Sequence, residues 1–135
     1  MTYTINEVSK IMNLTPYTIR YYDKEGLTPY IERKPNGTRL FKDSDLDSLK
    51  VIECLKSTGM SIKDIKNFID WCSEGDSTLQ KRYEMFLERK ANVEAQIESL
   101  KETMKMIEHK CSYYKSAIEA GTEKIHKIKK VSVRK

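Results

Sequence analysis

The side chains best suited to recognition chemistry cluster between residues 15 and 22. Thr15, Tyr17, Thr18 and Arg20 carry hydroxyl or guanidinium groups, and two further tyrosines end the cluster at Tyr22. Such groups donate hydrogen bonds to phosphate oxygens and to the edges of bases. Neighbours on a helix point about 100° apart, so we expect one member of the triplet that begins at Arg20 to pack inward and two to reach outward. These donors predict a nucleic-acid-binding surface.

Catalytic and metal chemistry find little support elsewhere in the chain. The only histidines are His109 and His126, and the sequence shows neither a glycine-rich phosphate loop nor a nucleophile–base pair. His109 and Cys111 are two positions apart on a predicted helix, so they face different directions and would chelate a metal poorly. We therefore expect no enzyme activity, no catalytic residues, no cofactor and no metal site.

Three cysteines, an odd number at wide spacing, argue against a disulfide framework and indicate a reducing, cytoplasmic setting. Cys54 lies between Lys50 and Lys56, which would lower the pKa of its thiol if they lie close, and it is the candidate sensor thiol. The alternative is that Cys54 is a small buried packing residue. Cys72 and Cys111 are interpreted as structural.

Two short helices are predicted to position the donor cluster. Apolar residues between Ile5 and Met12 fall on one side of a first helix. Thr15 is suited to be the N-cap of a second helix, Pro16 suits its first position, and Gly26 ends it. Two abutting helices, the second carrying the donors, are typical of a helix-turn-helix that enters the major groove of DNA.

Residues 28–41 predict a β-hairpin beside the helix pair. Asn36 and Gly37 form a favoured two-residue turn between the segments Ile31–Lys34 and Thr38–Phe41. The hairpin is interpreted as a basic wing. Its basic residues are Arg33, Lys34 and Arg39.

Two further helices complete a head of residues 1–75. Residues 43–45 can cap a third helix that runs to about Ser57, Gly59 ends it, and Ser61 caps a fourth. Residues 73–76 form the one evident linker. The apolar residues expected to face inward are Leu46, Leu49, Val51, Ile52 and Leu55 in the third helix and Ile62, Ile65, Phe68, Ile69 and Cys72 in the fourth.

Residues 76–120 show a repeat of a different kind. From residue 79 to 118, apolar or weakly polar residues recur in alternating steps of four and three, which is typical of a coiled coil. The repeat positions are Leu79, Tyr83, Phe86, Val93, Ile97, Leu100, Met104, Ile107, Cys111, Tyr114 and Ile118. Such a seam needs a partner helix, so we expect a homodimer. Lys90 interrupts the seam, either with its charged end in solvent or as a residue that fixes the register.

The formal net charge of +5 is unevenly distributed. Residues 1–75 and 76–120 are each neutral, whereas residues 121–135 hold six basic residues and one acidic residue. Within the head, residues 15–42 hold six basic and three acidic residues, which suits a local docking surface. The tail of residues 121–135 is predicted to be a disordered, solvated end; the alternative is extra non-specific contact with DNA. No apolar segment approaches a membrane span and no signal sequence is evident.

Four segments, in order, resemble the signature of MerR-family transcriptional regulators: Tyr3–Val8, Thr18–Leu27, Asn36–Phe41 and Leu55–Ile65. The resemblance implies a mainly α fold, with a winged helix-turn-helix head and a dimerisation helix that forms an antiparallel coiled coil. It also implies a homodimer that binds a pseudo-palindromic promoter with an over-long spacer and distorts the DNA so that RNA polymerase can use it. The alternative is a DNA-bending or recombination-accessory protein without a sensing role.

The resemblance also assigns DNA contacts. Those expected in the major groove are Thr15, Tyr17, Thr18 and Arg20, and Tyr22 matches a phosphate-contacting tyrosine. The wing contacts are Arg33, Lys34, Asn36, Gly37 and Arg39, with Lys56 as a further backbone contact. The position of Cys54 resembles that of the lone cysteine in the aldehyde- and thiol-stress branch of the family (NmlR/AdhR-like). A second sensing hypothesis places a small ligand between head and coil, against Phe68, Trp71, Tyr83 and Phe86.

Overall fold

A computed structural model describes residues 1–126 of the chain, which divides into two compact units, Met1–Lys90 and Ala91 onward. Most of the predicted basic tail, residues 127–135, lies outside the described residues. The elements in chain order are β1 (Thr2–Tyr3), α1 (Ile5–Met12), α2 (Pro16–Lys24), β2 (Glu32–Arg33), β3 (Arg39–Lys42), α3 (Asp43–Ser57), α4 (Ile62–Glu74), a 3-10 turn (Asp76–Thr78) and α5 (Leu79–Ala120).

The first helix, α1, begins with a reciprocal cap that the sequence analysis did not identify. The Glu7 amide donates to Thr4 Oγ1 at 3.2 Å, and the Thr4 amide donates to Glu7 Oε1 at 2.9 Å. This capping box satisfies two backbone donors that a helix start leaves open. The helix ends at Asn13, which adopts a left-handed conformation with φ of 54°. The predicted limits of α1 are confirmed.

The second helix, α2, is placed by the residues that predicted it. Thr15 Oγ1 accepts a hydrogen bond from the Thr18 amide at 3.1 Å, and Pro16 occupies the first turn. Gly26 has a φ of 79°, a left-handed conformation that glycine adopts without a side-chain penalty, and it follows the end of the helix. Ile19 and Tyr22 are fully buried and anchor α2 to the core.

The wing is a three-stranded antiparallel sheet with strand order β1-β3-β2. Arg33 of β2 lies opposite Arg39 of β3, and Thr2 of β1 lies opposite Lys42 at the other side of β3. The sequence predicts the hairpin but not β1, because a strand of two residues carries no periodic pattern. The chain start is therefore part of the wing.

The prediction of a two-residue turn at Asn36-Gly37 is wrong in its register. The Gly37 amide donates to the Lys34 carbonyl at 2.8 Å, which makes Pro35 and Asn36 the central residues, and the Lys34 amide donates to the Thr38 carbonyl at 2.7 Å. Proline fixes its φ near −65°, which suits the first central position of a turn, whereas a primed turn would need a positive φ at Asn36. Asn36 does not have one, and Gly37 does, at 88°.

Helices α3 and α4 carry most of the core. Asp45 caps α3, because its buried carboxylate accepts a hydrogen bond from the Lys42 amide at 2.8 Å. Ser61 caps α4 by accepting from the Asp64 amide at 3.1 Å, as predicted. The buried apolar residues of the head are Val8, Ile19, Tyr22, Leu27, Phe41, Leu46, Leu49, Ile52, Leu55, Ile65, Phe68 and Ile69.

Two residues predicted to face inward are exposed. Val51 is 37% exposed because it precedes the buried Ile52 by one position and so points about 100° away from the buried stripe of α3. Cys72 is exposed in the last turn of α4, beyond Ile69, the last residue of that helix in the buried cluster.

The predicted linker is a hydrogen-bonded corner. Helix α4 runs to Glu74, Gly75 turns the chain with a φ of 89°, and the 3-10 turn leads directly into α5. Thr78 Oγ1 donates to the Trp71 carbonyl at 2.6 Å, and Arg82 Nη2 donates to the Gly75 carbonyl at 2.9 Å. The first turns of α5 therefore belong to the head unit.

Helix α5 is 42 residues long and leaves nearly all its apolar side chains exposed in the single chain. Within residues 91–126, Ala117 is the one buried apolar residue. After Gly121 the chain reverses, and the ring of His126 stacks on Tyr113 at a centroid distance of 3.9 Å. No helix in residues 1–126 is both long enough and apolar enough to cross a membrane.

Candidate DNA-binding surface

The exposed face of α2 is formed by Tyr17, Arg20 and Tyr21. These residues are three and four positions apart, so they lie side by side on the helix surface. Tyr17 is 76% exposed, and Arg20 and Tyr21 are also exposed. Tyr22, by contrast, has no exposed surface. The expectation of one inward and two outward residues in this triplet is confirmed, and it adds Tyr21 to the candidate contacts.

The two threonines at the start of α2 are partly engaged by each other. Thr15 is exposed and Thr18 is half-buried, and their hydroxyl oxygens are 2.9 Å apart. Because the Thr15 hydroxyl also accepts the Thr18 amide, its position is fixed by the cap. A hydroxyl held in this way is pre-oriented before any ligand arrives.

Tyr22, the tyrosine that the resemblance matches to a phosphate contact, is buried and hydrogen-bonded within the head. Its hydroxyl donates a hydrogen bond to the Glu53 carboxylate and accepts one from Lys56 Nζ at 3.2 Å. Burial, and then the hydrogen bond to Glu53, raise the pKa of Tyr22 above its usual range. A phosphate contact by this hydroxyl would require it to release Glu53, because a hydroxyl has a single proton to donate, whereas the hydrogen bond from Lys56 could persist. In the observed geometry Tyr22 joins α2 to α3, and its phosphate contact stays a prediction.

Lys56 is positioned by the same contact. Its ammonium lies 5.4 Å from the centroid of the Tyr22 ring, within the range of a cation–π interaction. The side chain is nevertheless exposed, so the ammonium stands at the surface beside α2. Its predicted contact with the DNA backbone stays a prediction.

Asp23, which the sequence analysis did not select, joins the recognition helix to the wing. Asp23 Oδ2 accepts hydrogen bonds from Arg33 Nη2 at 2.8 Å and from Arg39 Nε at 3.0 Å, and Arg39 Nη2 lies 2.9 Å from the same oxygen in an ion pair. Its other oxygen accepts from Thr28 Oγ1 at 3.2 Å. One carboxylate therefore fixes both strands of the hairpin against the end of α2. The signal in the sequence was an acidic residue within the basic segment of residues 15–42.

The two wing arginines differ in accessibility. The Arg39 side chain is 19% exposed and directs two nitrogens at Asp23, whereas the Arg33 side chain is 49% exposed. Arg33 Nη1 also donates to the Gly37 carbonyl at 3.0 Å, which braces the tip of the wing. Arg33 thus has surface available for a phosphate, and Arg39 supports the sheet from within.

The tip of the wing is exposed. Lys34, Asn36 and Gly37 all lie at the surface, and Asn36 Oδ1 accepts the Thr38 amide at 3.0 Å. This side-chain hydrogen bond holds the turn and leaves the backbone of Gly37 uncovered. The structure thus brings the predicted wing residues together at one end of the hairpin, attached to α2 through Asp23.

Comparisons with known proteins agree with this geometry. The sequence profile of MerR HTH family regulatory proteins matches residues 3–70, and that of the MerR DNA-binding region matches residues 46–110. An uncharacterized HTH-type transcriptional regulator of Haemophilus influenzae is 41% identical over 124 residues, which is 92% of each chain. The chain belongs to the MerR family of helix-turn-helix regulators.

Solved structures of MerR-family proteins share the whole fold. The crystal structure of HiNmlR, a MerR family regulator lacking the sensor domain, bound to promoter DNA, matches with a TM-score of 0.87 and 41% identity, covering 93% of this chain and 99% of that one. A MerR family regulator from Bacillus thuringiensis matches with a TM-score of 0.77 and 45% identity, covering 83% and 98%. The predicted mainly α fold with a winged helix-turn-helix head and a long following helix is confirmed, and this MerR-family chain is a DNA-binding transcriptional regulator.

The candidate sensor thiol of this MerR-family chain is accessible. Cys54 is exposed on α3, so the alternative of a buried packing residue is wrong. Lys56 Nζ is engaged by Tyr22, and residues two apart on a helix point in nearly opposite directions. The structure therefore supports access to the Cys54 thiol but not its activation by Lys56.

The four residues of the second sensing hypothesis do not line one cavity. Phe68 packs edge-on against Phe86 at a centroid distance of 5.5 Å and lines a cleft of about 400 Å³. Trp71 lines a different cleft of about 130 Å³, and Tyr83 lines neither. The first cleft is lined by Tyr30, Ser48, Val51, Phe68, Ile69, Cys72 and Ser73. Within residues 1–126, no three His, Cys, Asp or Glu side chains are grouped to hold a metal ion.

Proposed function

We propose that this chain binds a pseudo-palindromic promoter site as a homodimer, works in the cytoplasm, and distorts the DNA so that RNA polymerase use of the promoter is controlled. The observation that carries the proposal is the exposed donor face of α2 held to a basic wing by Asp23. A helix face that reads bases and a wing that contacts phosphates are the two parts that sequence-specific binding needs. The match to a relative whose structure is bound to promoter DNA supports the same function.

The homodimer is supported by the surface of α5. Its seam residues are among the most exposed large apolar residues of the chain, including Leu100 at 66% and Ile118 at 79%. A long helix with one apolar stripe and no core of its own needs a partner helix, because helical stability in water comes mainly from packing that stripe. A second copy supplies an identical stripe, and an antiparallel pair would join two heads at a fixed separation.

Two half-sites follow from this arrangement. Each α2 would enter a major groove, with Tyr17, Thr18 and Arg20 near the bases and Arg33 and Lys34 near the flanking phosphates. The fixed separation of two heads would then select the spacing of the half-sites. Bending or untwisting of the intervening DNA would be the physical means by which the promoter elements are brought into register for RNA polymerase.

The proposed signal input is Cys54. Its neighbour Glu53 accepts a hydrogen bond from the hydroxyl of Tyr22 on α2. Modification of the exposed thiol would therefore occur one residue from the hydrogen bond that joins α2 to α3. Treatment with an aldehyde or a thiol reagent is expected to add to Cys54 and to change promoter output, and intact-mass measurement detects the adduct. Cys54→Ser should abolish both effects, whereas Cys72→Ser, at an exposed cysteine outside the proposed dimer seam, should abolish neither. An unmodified Cys54 or an unchanged output would refute this assignment.

The DNA-binding proposal is tested by selecting sites from a random duplex library and footprinting the selected promoter. A regulator should protect a two-fold symmetric site between the −35 and −10 elements and change transcription in a reconstituted assay with RNA polymerase. A DNA-bending or recombination-accessory protein would protect sites unrelated to these elements and leave transcription unchanged. Light scattering of the complex should give two chains per site, and one chain per site would contradict the homodimer.

A further inference from the structure

The carboxylate of Asp23 is bound to groups on three separate segments. It accepts hydrogen bonds from Arg33 Nη2, from Arg39 Nε and from the hydroxyl of Thr28, which is 1% exposed, and Arg39 Nη2 lies 2.9 Å away in the same ion pair. Asp23 itself lies in the last turn of α2, and its side chain is 22% exposed. A partly buried carboxylate with charge-assisted partners is fixed much more firmly than a surface ion pair.

The two arginines are directly opposed in the hairpin. Arg33 and Arg39 are paired across β2 and β3, and like charges in directly opposite positions destabilise a sheet. The Asp23 carboxylate lies within 3.0 Å of both guanidinium groups and neutralises one of the two positive charges. The wing as observed therefore depends on a residue that belongs to the recognition helix.

We infer that Asp23 determines DNA specificity, as a positioning residue that sets the wing against α2 and withholds one arginine charge from non-specific phosphate contacts. The inference rests on the proposed DNA-binding function. Each arginine has five N–H donors, so Arg33 keeps donors for a phosphate while it is bound to Asp23. Arg39, 19% exposed and directed at Asp23 through two nitrogens, is the charge that is withheld.

The test compares Asp23→Asn with the wild type on a site selected by the wild type and on random duplex DNA. Asparagine keeps the shape of the side chain and removes its charge, which frees one arginine to contact phosphate. Non-specific binding should therefore become stronger, and the slope of log K against log salt should become steeper by about 0.9. Binding to the selected site should not gain, because the wing is no longer fixed against α2. The ratio of specific to non-specific affinity is expected to fall by about tenfold from a ratio that is normally in the thousands or more.

Glu32→Gln is the matched control, since it too removes one negative charge that is paired with a basic residue of the wing sheet. Glu32 binds Lys42 at 3.1 Å through an exposed ion pair that does not reach α2. It should steepen the salt dependence as Asp23→Asn does but leave the specificity ratio within about twofold of the wild type. An equal loss of ratio in both variants would overturn the inference, because net charge alone would then explain it.

The salt dependence of binding distinguishes a specificity-determining role of Asp23 from a role in stabilising the fold alone. If Asp23→Asn lowers both affinities by the same factor with an unchanged salt dependence, the residue only stabilises the fold and the inference is overturned. Circular dichroism on the same samples shows whether the variant is folded.

If Asp23→Asn does not fold, Asp23→Glu replaces it, because glutamate keeps the charge. This variant is expected to preserve the non-specific affinity and to lower the specific affinity. An increase in its non-specific affinity contradicts the inference. A wild-type ratio near one would instead refute the proposed function.

Discussion

The hydroxyl of Tyr22 in α2 donates a hydrogen bond to the carboxylate of Glu53 in α3, 31 positions along the chain. The same hydroxyl accepts from Lys56, so a single tyrosine oxygen connects the recognition helix to a carboxylate and an ammonium of the next helix layer. Because Tyr22 is fully buried, this contact fixes α2 from beneath while its outer face stays exposed.

Tyr22→Phe should destabilise the head. The substitution keeps the ring in the core and removes the hydrogen bond to Glu53, and a bond to a charged partner contributes about 1.5–3 kcal/mol to the free energy of unfolding. Urea unfolding monitored by circular dichroism measures the loss. Tyr21→Phe is the control, since Tyr21 lies on the exposed face of the same helix. Equal stability of the two variants would contradict the anchoring role of Tyr22.

The stability of the wild type should fall more steeply above pH 10 than that of Tyr22→Phe. Burial and the Glu53 hydrogen bond raise the pKa of Tyr22 in the folded state, while in the unfolded chain the phenol titrates near 10. The folded state therefore binds the proton more tightly than the unfolded chain does. The resulting contribution to the free energy of unfolding is complete below pH 10 and is lost as the pH rises above 10. Unfolding midpoints between pH 8 and 11.5 measure this. Parallel curves for the two proteins would contradict the shifted pKa.

Tyr17→Ala should change which bases are selected, whereas Lys34→Ala should weaken binding to all sequences. Tyr17 is on the exposed face of α2, and Lys34 is on the exposed wing. Loss of one phosphate contact should reduce the slope of log K against log salt by about 0.9 and leave base preference unchanged. Site selection and anisotropy titrations at several salt concentrations separate the two effects.

Lys101→Ala is the control for Lys34→Ala, because Lys101 is exposed on α5 and pairs with Glu98 in the second unit. It should leave both affinity and salt dependence at the wild-type values. If Lys34→Ala alters base preference, or if Tyr17→Ala weakens all sequences equally, the division of roles between helix and wing is refuted.

Leu100→Lys should dissociate the proposed dimer. A charged side chain in the middle of the seam would have to be buried against the partner helix, which is costly without a paired charge. The dissociation constant should rise at least about tenfold, equivalent to about 1.4 kcal/mol. Sedimentation equilibrium over a concentration series measures it, and binding to the palindromic site should weaken in parallel.

Met106→Lys is the matched control for the seam. Met106 is 60% exposed and apolar like Leu100, but it lies outside the four-three repeat. It should leave the dissociation constant within about threefold of the wild type. An equal effect of both substitutions would show that the seam is not the interface.

Local chemistry explains how much of the fold could be predicted. The limits of α2 and the start of α4 follow from Thr15, Pro16 and Ser61, because a cap acts within one helical turn. The turn of the wing was misassigned because two local preferences compete. Asn36-Gly37 favours a primed turn, whereas Pro35, whose own φ is fixed near −65°, favours a turn with Pro35 and Asn36 as the central residues. The prediction that Val51 faces inward was wrong because the apolar character of a side chain does not by itself determine which face of the helix it lies on.

The sequence by itself determined the helix order, the basic wing, the coiled-coil repeat and the family, because these are encoded in residues close together in the chain. Only the tertiary structure decided that Asp23 binds Arg39, sixteen positions away, and that the hydroxyl of the buried Tyr22 is bound to Glu53. It also decided that Cys54 is exposed. Such contacts depend on which helix faces and strand edges meet when the chain folds, and the energy of a hydrogen bond or ion pair depends on the burial that results.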